Sequence, residues 1–172
     1  MIISTFDLYG DENSNNHGTN IYHDVFFDGK NINYKKIIEK KINKIELSNI
    51  LNNSNYKICH NFFGYDGSKL PTLKNHKKNN IDTLLIDSLI SFNKTHHNLK
   101  KSINNDPLED AKSTFSVLEK NIKIFHNLDD NIKIILFNLL NENEYYNDFF
   151  NFYNDINING NKIKKLSIIE LL

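Results

Sequence analysis

The run IISTFDL, residues Ile2 to Leu8, is β-branched and aromatic and places an acidic side chain, Asp7, near its end. Such a run predicts a short first strand. A second run of the same kind, IYHDVFF, covers Ile21 to Phe27 and is followed by Asp28-Gly29, a dipeptide typical of a tight hairpin turn. With a third strand expected near Asn31 to Tyr34, the first part of the chain predicts a hairpin or short meander.

The polar stretch from Asp11 to Asn20 is rich in Asn and contains Gly, so it predicts a loop. Farther along, strands and helices alternate, which predicts an α/β fold with a partly antiparallel sheet. The clearest helix is predicted over Pro107 to Ile124, because Asp106 is a natural N-cap and Pro suits the first helical position. Its apolar face contains Phe115 and Leu118. The other expected elements are a strand at 56–60, a strand running into a helix at 81–90, and helices at 37–51, 67–73, 99–103, 132–140, 145–153 and 163–172.

Composition limits the classes of function. The chain has 172 residues, which favours one domain, and its formal net charge is zero, so nucleic acid would have to bind a local patch. All the basic charge comes from Lys, and the single Cys59 excludes a disulfide framework or a cysteine zinc site within one chain. With neither a signal-peptide pattern nor an apolar run of membrane-spanning length, we expect a soluble, intracellular and cytoplasmic protein without a membrane partner.

Three acidic residues occur in contexts that suit chemistry. Asp7 ends the first strand, Asp66 follows the pair His60-Asn61, and Asp110 lies in the first turn of the best helix. Each also has an ordinary explanation, because Asp at a strand end often forms a turn and Asp in a first helical turn favours the helix dipole. Spacing alone therefore leaves both interpretations open.

The segments FDL (6–8), HNFFGYDGSKL (60–70), IDTL (81–84) and NDPLEDAKSTFSVL (105–118) resemble, in this order, the motifs of DnaQ-like (DEDD-type) 3′–5′ exonucleases. The stretch IDTLLIDSLISFNKTHHNLKK, with NNDPLEDA after it, is similar to the exonuclease domain fused to RecQ-like helicases in some bacteria. The segment EYYNDFFNFY (144–153) also resembles the stretch that comes after the nuclease in those fusions, so the resemblance covers residues 1 to 153.

This resemblance implies a ribonuclease H-like mixed sheet flanked by helices. It implies an exonuclease-like domain over 1–125 and a helical C-terminal extension over 126–172 that packs on it or docks a partner. The implied function is a metal-dependent 3′–5′ exonuclease that acts on nucleic-acid ends by two-metal-ion phosphodiester hydrolysis. Single-stranded DNA is the expected substrate, and a helicase is a further expected partner. Asp7, Asp66 and Asp110 would be the catalytic ligands of Mg²⁺ or Mn²⁺, hard cations that prefer carboxylate oxygens.

Two positions depart from the family pattern. Tyr9 stands where the family has Glu, so Asp11 and Glu12 become the candidates for the fourth ligand, and Asn105 stands where the family has a His base. The candidates for a replacement base are His96 and His97, and the residues expected to contact substrate are Tyr9, Asn61 and Asn105. Two alternatives therefore stay open: a decayed nuclease domain that binds nucleic acid without cleaving it, and a scaffold that docks a helicase or another protein.

Overall fold

A five-stranded mixed sheet flanked by helices is the centre of the fold, as seen in a computed structural model that describes residues 1–9, 16–70, 79–99, 104–158, 160 and 162–166. The strands of this sheet are β1 (Ile2–Asp7), β2 (His17–His23), β5 (Lys36–Ile42), β6 (Tyr56–Cys59) and β7 (Asn80–Asp82). A separate two-stranded sheet joins β3 (Phe26–Phe27) to β4 (Ile32–Asn33). The expected α/β class is thus confirmed.

The strand order is β5-β2-β1-β6-β7, with β1 in the centre. Strand β2 is antiparallel to both β1 and β5, whereas β6 and β7 run parallel to β1. The β1–β2 register places Asp7, the last residue of β1, opposite Gly18. Because β1, β6 and β7 run in the same direction, their carboxyl ends meet at one edge of the sheet.

The helices connect these strands and cover both faces of the sheet. They are α1 (Lys44–Asn52), a π-helical turn (Phe62–Asp66) that continues into α2 (Gly67–Lys69), α3 (Thr83–Ile90), α4 (Pro107–His126), α5 (Asp130–Leu140) and α6 (Asn147–Ile156). Helix α4 begins as its sequence predicts, since the side chain of Asp106 accepts a hydrogen bond from the backbone N–H of Leu108 and Pro107 follows it.

Two hydrophobic cores lie on opposite faces of the sheet, as the alternation of side chains along β1 requires. Ile3 belongs to the larger core, formed with α3, α4 and α6, and Phe6 belongs to the smaller core, formed with α1 and the π-helical turn. Phe115 and Leu118 of α4 are buried in the larger core, as predicted. The aromatic residues of the C-terminal part fill this core as well: Phe125, Phe149, Phe150, Phe152 and Tyr153.

Two of the predicted boundaries are wrong. The expected loop at 11–20 and strand at 21–27 become, in the described part, one strand from His17 to His23, because β2 pairs with both β1 and β5 along that length. The expected helix at 37–51 is a strand followed by a helix, because Lys36–Ile42 pairs with β2 at all seven positions. Pairing across the sheet thus overrides an isoleucine spacing that is close to helical.

Most of the other elements agree with the predictions. Strand β6, the passage from β7 into α3, and the helices α4 and α5 are confirmed, and Asp28-Gly29 turns the chain between β3 and β4. Residues 162–166 form neither helix nor strand, so the predicted final helix is wrong there, and its continuation lies outside the described residues, as do parts of the helices predicted at 67–73 and 99–103. None of the helices within the described ranges is long and apolar enough to span a bilayer.

Candidate functional site

A cavity of about 400 Å³ opens at the edge of the sheet where β1 and β6 end. This is the edge at which open α/β sheets commonly bind ligands. Its walls are formed by Asp7, Leu8, His60, Asn61, Tyr65, Asp66, Leu84, Asn98 and Leu99. Two of the three carboxylates singled out in the sequence, Asp7 and Asp66, therefore face the same space although they are distant in sequence.

A π-helical turn brings Asp66 to the cavity. Asp66 is the last residue of the π-helical turn and is almost fully buried, and its Oδ2 accepts a hydrogen bond from the Cys59 thiol at 3.1 Å. Burial, followed by the nearby carboxylates of Asp66 and Asp7, raises the pKa of Cys59 well above its usual value. The thiol thus stays protonated and donates to Asp66. Cys59 is buried, as free Cys residues commonly are.

A buried carboxylate that the sequence analysis did not single out holds the start of this turn. Asp82 accepts hydrogen bonds from the backbone N–H groups of Asn61 at 2.9 Å and Phe63 at 3.1 Å, and it also caps α3. Asn61 has a left-handed backbone with φ of 68°, which Asn tolerates better than most residues. Asp82 therefore positions the segment that presents Asn61 and Asp66 to the cavity.

Asp110 approaches from the helical layer. It is 2% exposed in the first turn of α4, and that turn lies directly on the sheet beside Asp7. A Cβ on Gly18, the register partner of Asp7, would lie only 2.2 Å from the carbonyl carbon of Pro107. The side chain of Asn20 donates to the carbonyl of Leu108 in the same turn at 3.4 Å.

The three carboxylates nevertheless do not form one ligand cluster. Asp110 is not part of the cavity wall, and within the described ranges no group of three or more His, Cys, Asp or Glu side chains is arranged to hold a metal ion. Asp11 and Glu12, the candidates for a fourth ligand, lie outside the described residues. Two carboxylates, Asp7 and Asp66, thus line the cavity, and the third, Asp110, lies in the first turn of α4 outside the cavity wall.

The two departures from the family pattern lie at surface positions. Tyr9 is 40% exposed just past β1, and its backbone N–H donates to Nδ1 of His17 at 3.4 Å. Asn105 is exposed two residues before Pro107 and has a left-handed φ of 49°. Neither residue lines the 400 Å³ cavity, so their expected roles in substrate contact stay predictions.

The two candidate bases are in different environments. His96 is exposed, whereas His97 donates from Nδ1 to Oδ2 of the buried Asp87 at 2.8 Å. Lys94 donates to the same carboxylate. Although burial acts to raise it, the hydrogen bonds from Lys94 and His97 hold the pKa of Asp87 below its usual value. Asp87 therefore fixes the orientation of the His97 ring.

The histidine that lines the cavity is His60. Its Nδ1 is 2.9 Å from the Thr83 hydroxyl at the start of α3. Burial lowers the pKa of His60, while the carboxylates of Asp82 and Asp87 act in the opposite direction with smaller effect. A neutral imidazole thus faces the space that Asp7 and Asp66 share. In the sequence, His60 is visible only as part of the His60-Asn61 motif. The folded structure shows that His60 borders the cavity.

Comparison of the chain with protein-family models, with curated proteins and with solved structures finds no match.

Proposed function

We propose that this chain has a ribonuclease H-like fold of the DnaQ-like exonuclease type and that its cavity binds the 3′ end of a nucleic-acid strand together with Mg²⁺ or Mn²⁺. The observation that carries the proposal is that Asp7 and Asp66 line one cavity at the carboxyl edge of the sheet. The strand order, with β2 antiparallel to its neighbours and Asp7 at the end of the central strand, agrees with that fold.

The donor chemistry fits a hard divalent cation. Asp7 and Asp66 offer carboxylate oxygens, and Asp110, in the first turn of α4, would supply a third. A bound ion of this kind lowers the pKa of its water and offsets charge on a leaving oxygen. The Cys59 thiol supports this arrangement, because it donates to Oδ2 of Asp66 and so fixes the orientation of that carboxylate.

The remaining walls suit a nucleotide. Tyr65 borders the cavity with its ring about half exposed, and the ammonium group of Lys69 lies 3.8 Å from the centroid of that ring. An exposed ring of this kind stacks on a base whatever the sequence, and the adjacent Lys offers charge to a phosphate. Asn61 supplies an amide for hydrogen bonds to sugar or phosphate oxygens. This combination favours a single strand, because bases inside a duplex are already stacked on their neighbours, whereas the bases of a single strand are free to stack on Tyr65.

A second candidate function is binding without cleavage. It is favoured by Tyr9 and Asn105, which occupy the places of an acidic ligand and a base in the family, and by the lack of a three-ligand cluster in the described part of the chain. Fewer carboxylates leave the charge of two divalent ions only partly offset, so cleavage should be weak and should favour Mn²⁺, which binds oxygen and nitrogen sites more tightly than Mg²⁺ in many proteins. A docking scaffold would instead bind neither ion nor strand at the cavity.

A thermal-shift titration with Mn²⁺ tests the site itself. An ion that binds only the folded state raises the melting temperature. Asp66→Asn should remove most of that shift, whereas the control Asp24→Asn, the same change at an exposed carboxylate paired with Lys35, should retain it. Asn suits the left-handed backbone at position 24, so the control should fold. Equal shifts in all three proteins would place the ion elsewhere.

An exonuclease assay then separates the two candidates. Wild-type protein with a 5′-labelled single strand in Mn²⁺ should shorten the strand slowly if it is an enzyme, and should only retard it in a gel if it is a binder. The double variant Tyr9→Glu, Asn105→His should gain both Mn²⁺ affinity and cleavage, and His is among the residues that tolerate a left-handed backbone at position 105. If the double variant neither binds Mn²⁺ better nor cuts, Tyr9 does not occupy the position of the family Glu.

A further inference from the structure

Part of the wall of the carboxylate cavity comes from the segment 92–99, which follows α3 and which we call the strap. Asn98 and Leu99 lie in that wall. None of the residues 92–99 is buried, and in the described part of the chain neither hydrophobic core includes an apolar side chain of the strap. Apolar packing therefore does not hold this wall in place, and its position must depend on polar contacts.

The polar contacts of the strap converge on a buried carboxylate. Asp87, on α3, is 2% exposed, and its two oxygens accept hydrogen bonds from the ammonium group of Lys94 at 2.8 and 2.5 Å. Its Oδ2 also accepts a hydrogen bond from Nδ1 of His97 at 2.8 Å. Because His97 directly precedes Asn98, this hydrogen bond fixes the chain at the point where it enters the cavity wall.

The chain turns back immediately after α3, which brings the strap to Asp87. The backbone N–H of Ser91 donates to the carbonyl of Asp87 at 2.9 Å, and the N–H of Lys94 donates to the carbonyl of Ser91 at 3.0 Å. The strap also meets the residue that follows β6. Burial lowers the pKa of His60, and an interaction with the His97 backbone is among the smaller effects that oppose this lowering. His97 thus connects α3, through its side chain, to His60, through its backbone.

The chemistry of this anchor favours a role in positioning. A charged group that is buried loses its contact with water, and this cost offsets much of the attraction within an ion pair, so an apolar contact in the same place could stabilise the fold equally well. Hydrogen bonds to a carboxylate are in addition directional. Two donors from different residues of the strap reach Asp87, and they hold the wall in one position, as a binding site requires of its supporting groups.

We propose that the hydrogen bond between Asp87 and His97 positions the strap against the bound single strand. This inference rests on the proposed function, because it concerns the strand that the cavity would bind. The Asn98 amide offers a donor and an acceptor to sugar or phosphate oxygens, and Leu99 offers apolar surface to a sugar. A strap without its anchor must be ordered when the strand binds, and the entropy lost in that step weakens binding. His97 is therefore a positioning residue that acts through Nδ1, and it is not a base.

Two substitutions of His97 separate the hydrogen bond from the imidazole. The amide nitrogen of His97→Asn lies close to the position of Nδ1 and can still donate to Asp87, whereas His97→Leu has no donor. In both variants Lys94 keeps the buried carboxylate paired, so both should fold. The probe is a 5′-labelled oligothymidylate with phosphorothioate linkages at its 3′ end, which resist cleavage, and its binding in Mn²⁺ is measured by fluorescence anisotropy. His97→Leu should bind this strand about tenfold more weakly than the wild type, and His97→Asn should bind it within about twofold of the wild type.

Hydrogen exchange without ion or strand reports on the strap directly. The backbone amides of residues 95–99 should exchange about tenfold faster in His97→Leu than in the wild type, and at the wild-type rate in His97→Asn. Both variants should retain the Mn²⁺-induced thermal shift, because Asp7 and Asp66 are unchanged. The control Thr95→Leu places a leucine at an exposed position of the same strap, and it should match the wild type in all three measurements.

Several results would overturn the positioning role. Undiminished strand affinity or unchanged exchange in His97→Leu would do so, and an equal loss of affinity in His97→Leu and His97→Asn would mean that the imidazole itself is required. Loss of the Mn²⁺ shift in His97→Leu would also overturn it, because the damage would then extend to the carboxylates. Failure of the proposed function is recognised separately, since the wild-type protein itself would then bind neither Mn²⁺ nor the strand.

Discussion

Replacing Gly18 by Ala should separate the two parts of the candidate site. Gly18 lies opposite Asp7 in the sheet, and the first turn of α4 rests on it. An added Cβ would lie 2.2 Å from the carbonyl carbon of Pro107 and 2.3 Å from the backbone nitrogen of Leu108. Both contacts are with backbone atoms, so no side-chain rotation can relieve them.

The size of the effect follows from these distances. Carbon atoms in contact normally lie about 3.5 Å apart, so α4 and the sheet must separate by roughly 1.3 Å at this point. Overpacking of a tight contact typically costs about 1–3 kcal/mol of unfolding free energy. For a chain of this size that corresponds to a decrease in melting temperature of roughly 2–12 °C. The shift also exceeds the tolerance of about 0.5 Å within which ligating groups must be held, so Asp110 should withdraw from Asp7.

The assay compares urea unfolding and the Mn²⁺-induced thermal shift for Gly18→Ala and for the control Phe115→Leu. Phe115 lies in the same helix, stacked on Tyr22 with ring centroids 4.1 Å apart, and its truncation weakens packing without displacing Pro107. Both variants should lose stability, but only Gly18→Ala should also lose most of the Mn²⁺ shift. An unfolding midpoint unchanged by Gly18→Ala would refute the close contact between α4 and β2. Equal Mn²⁺ shifts in the two variants would refute a contribution of Asp110 to the site.

Three further predictions concern the groups around the two cores. Phe115→Ala should cost about 3–5 kcal/mol in urea unfolding, because the side chain is 9% exposed, and a cost below about 1 kcal/mol would mean that α4 packs differently. Asp87→Asn should cost about 1.5–3 kcal/mol near neutral pH through its bonds to Lys94 and His97. Because the pKa of Asp87 is lowered in the folded protein, that stabilisation is present above its unfolded value of 3.8 and should vanish as the pH falls through the folded-state pKa, so a cost independent of pH would contradict it. Burial lowers the pKa values of His17, His60 and His126, so the unfolded chain takes up more protons than the folded protein as the pH falls through the ordinary value of 6.5. The urea midpoint should therefore decrease between about pH 7.5 and 5.5. A midpoint that does not change with pH would show that these rings are hydrated.

The elements predicted best are those whose signals are local. Helix α4 begins where Asp106 and Pro107 predict, because an N-cap and a first-turn proline act within one turn of the chain. Strand β5 was missed for the opposite reason. Ile38, Ile42 and Ile45 have nearly helical spacing, but β-branched side chains also suit a strand, and a partner strand was available in β2. A single sequence shows the spacing and does not show the partner.

The same distinction applies to the candidate site. Asp7 was found because a carboxylate at the end of a hydrophobic strand is visible locally, and the order of the motifs pointed to Asp66 and Asp110. The groups that hold them in place are contributed from elsewhere in the chain: Gly18 supports the turn that carries Asp110, and Asp82 holds the turn that carries Asp66. The spacing of residues in the sequence cannot predict these contacts, because they form only when the strands pair in the correct register.

His60 and His97 show how contacts between residues distant in sequence affect the choice of a candidate general base. The sequence offers His96 and His97 as candidate bases because both precede the third motif, yet Nδ1 of His97 is bound to a buried carboxylate on α3 and neither ring is part of the cavity wall. His60 is quoted only as part of a motif, yet it follows β6, and a residue in that position must reach the edge at which β1 also ends. A histidine that follows a strand parallel to the acid-bearing strand is therefore a better candidate base than a histidine that is only close in sequence to an acidic residue. By this criterion His60→Gln, with its amide in place of the imidazole, should reduce any cleavage more than His97→Gln does.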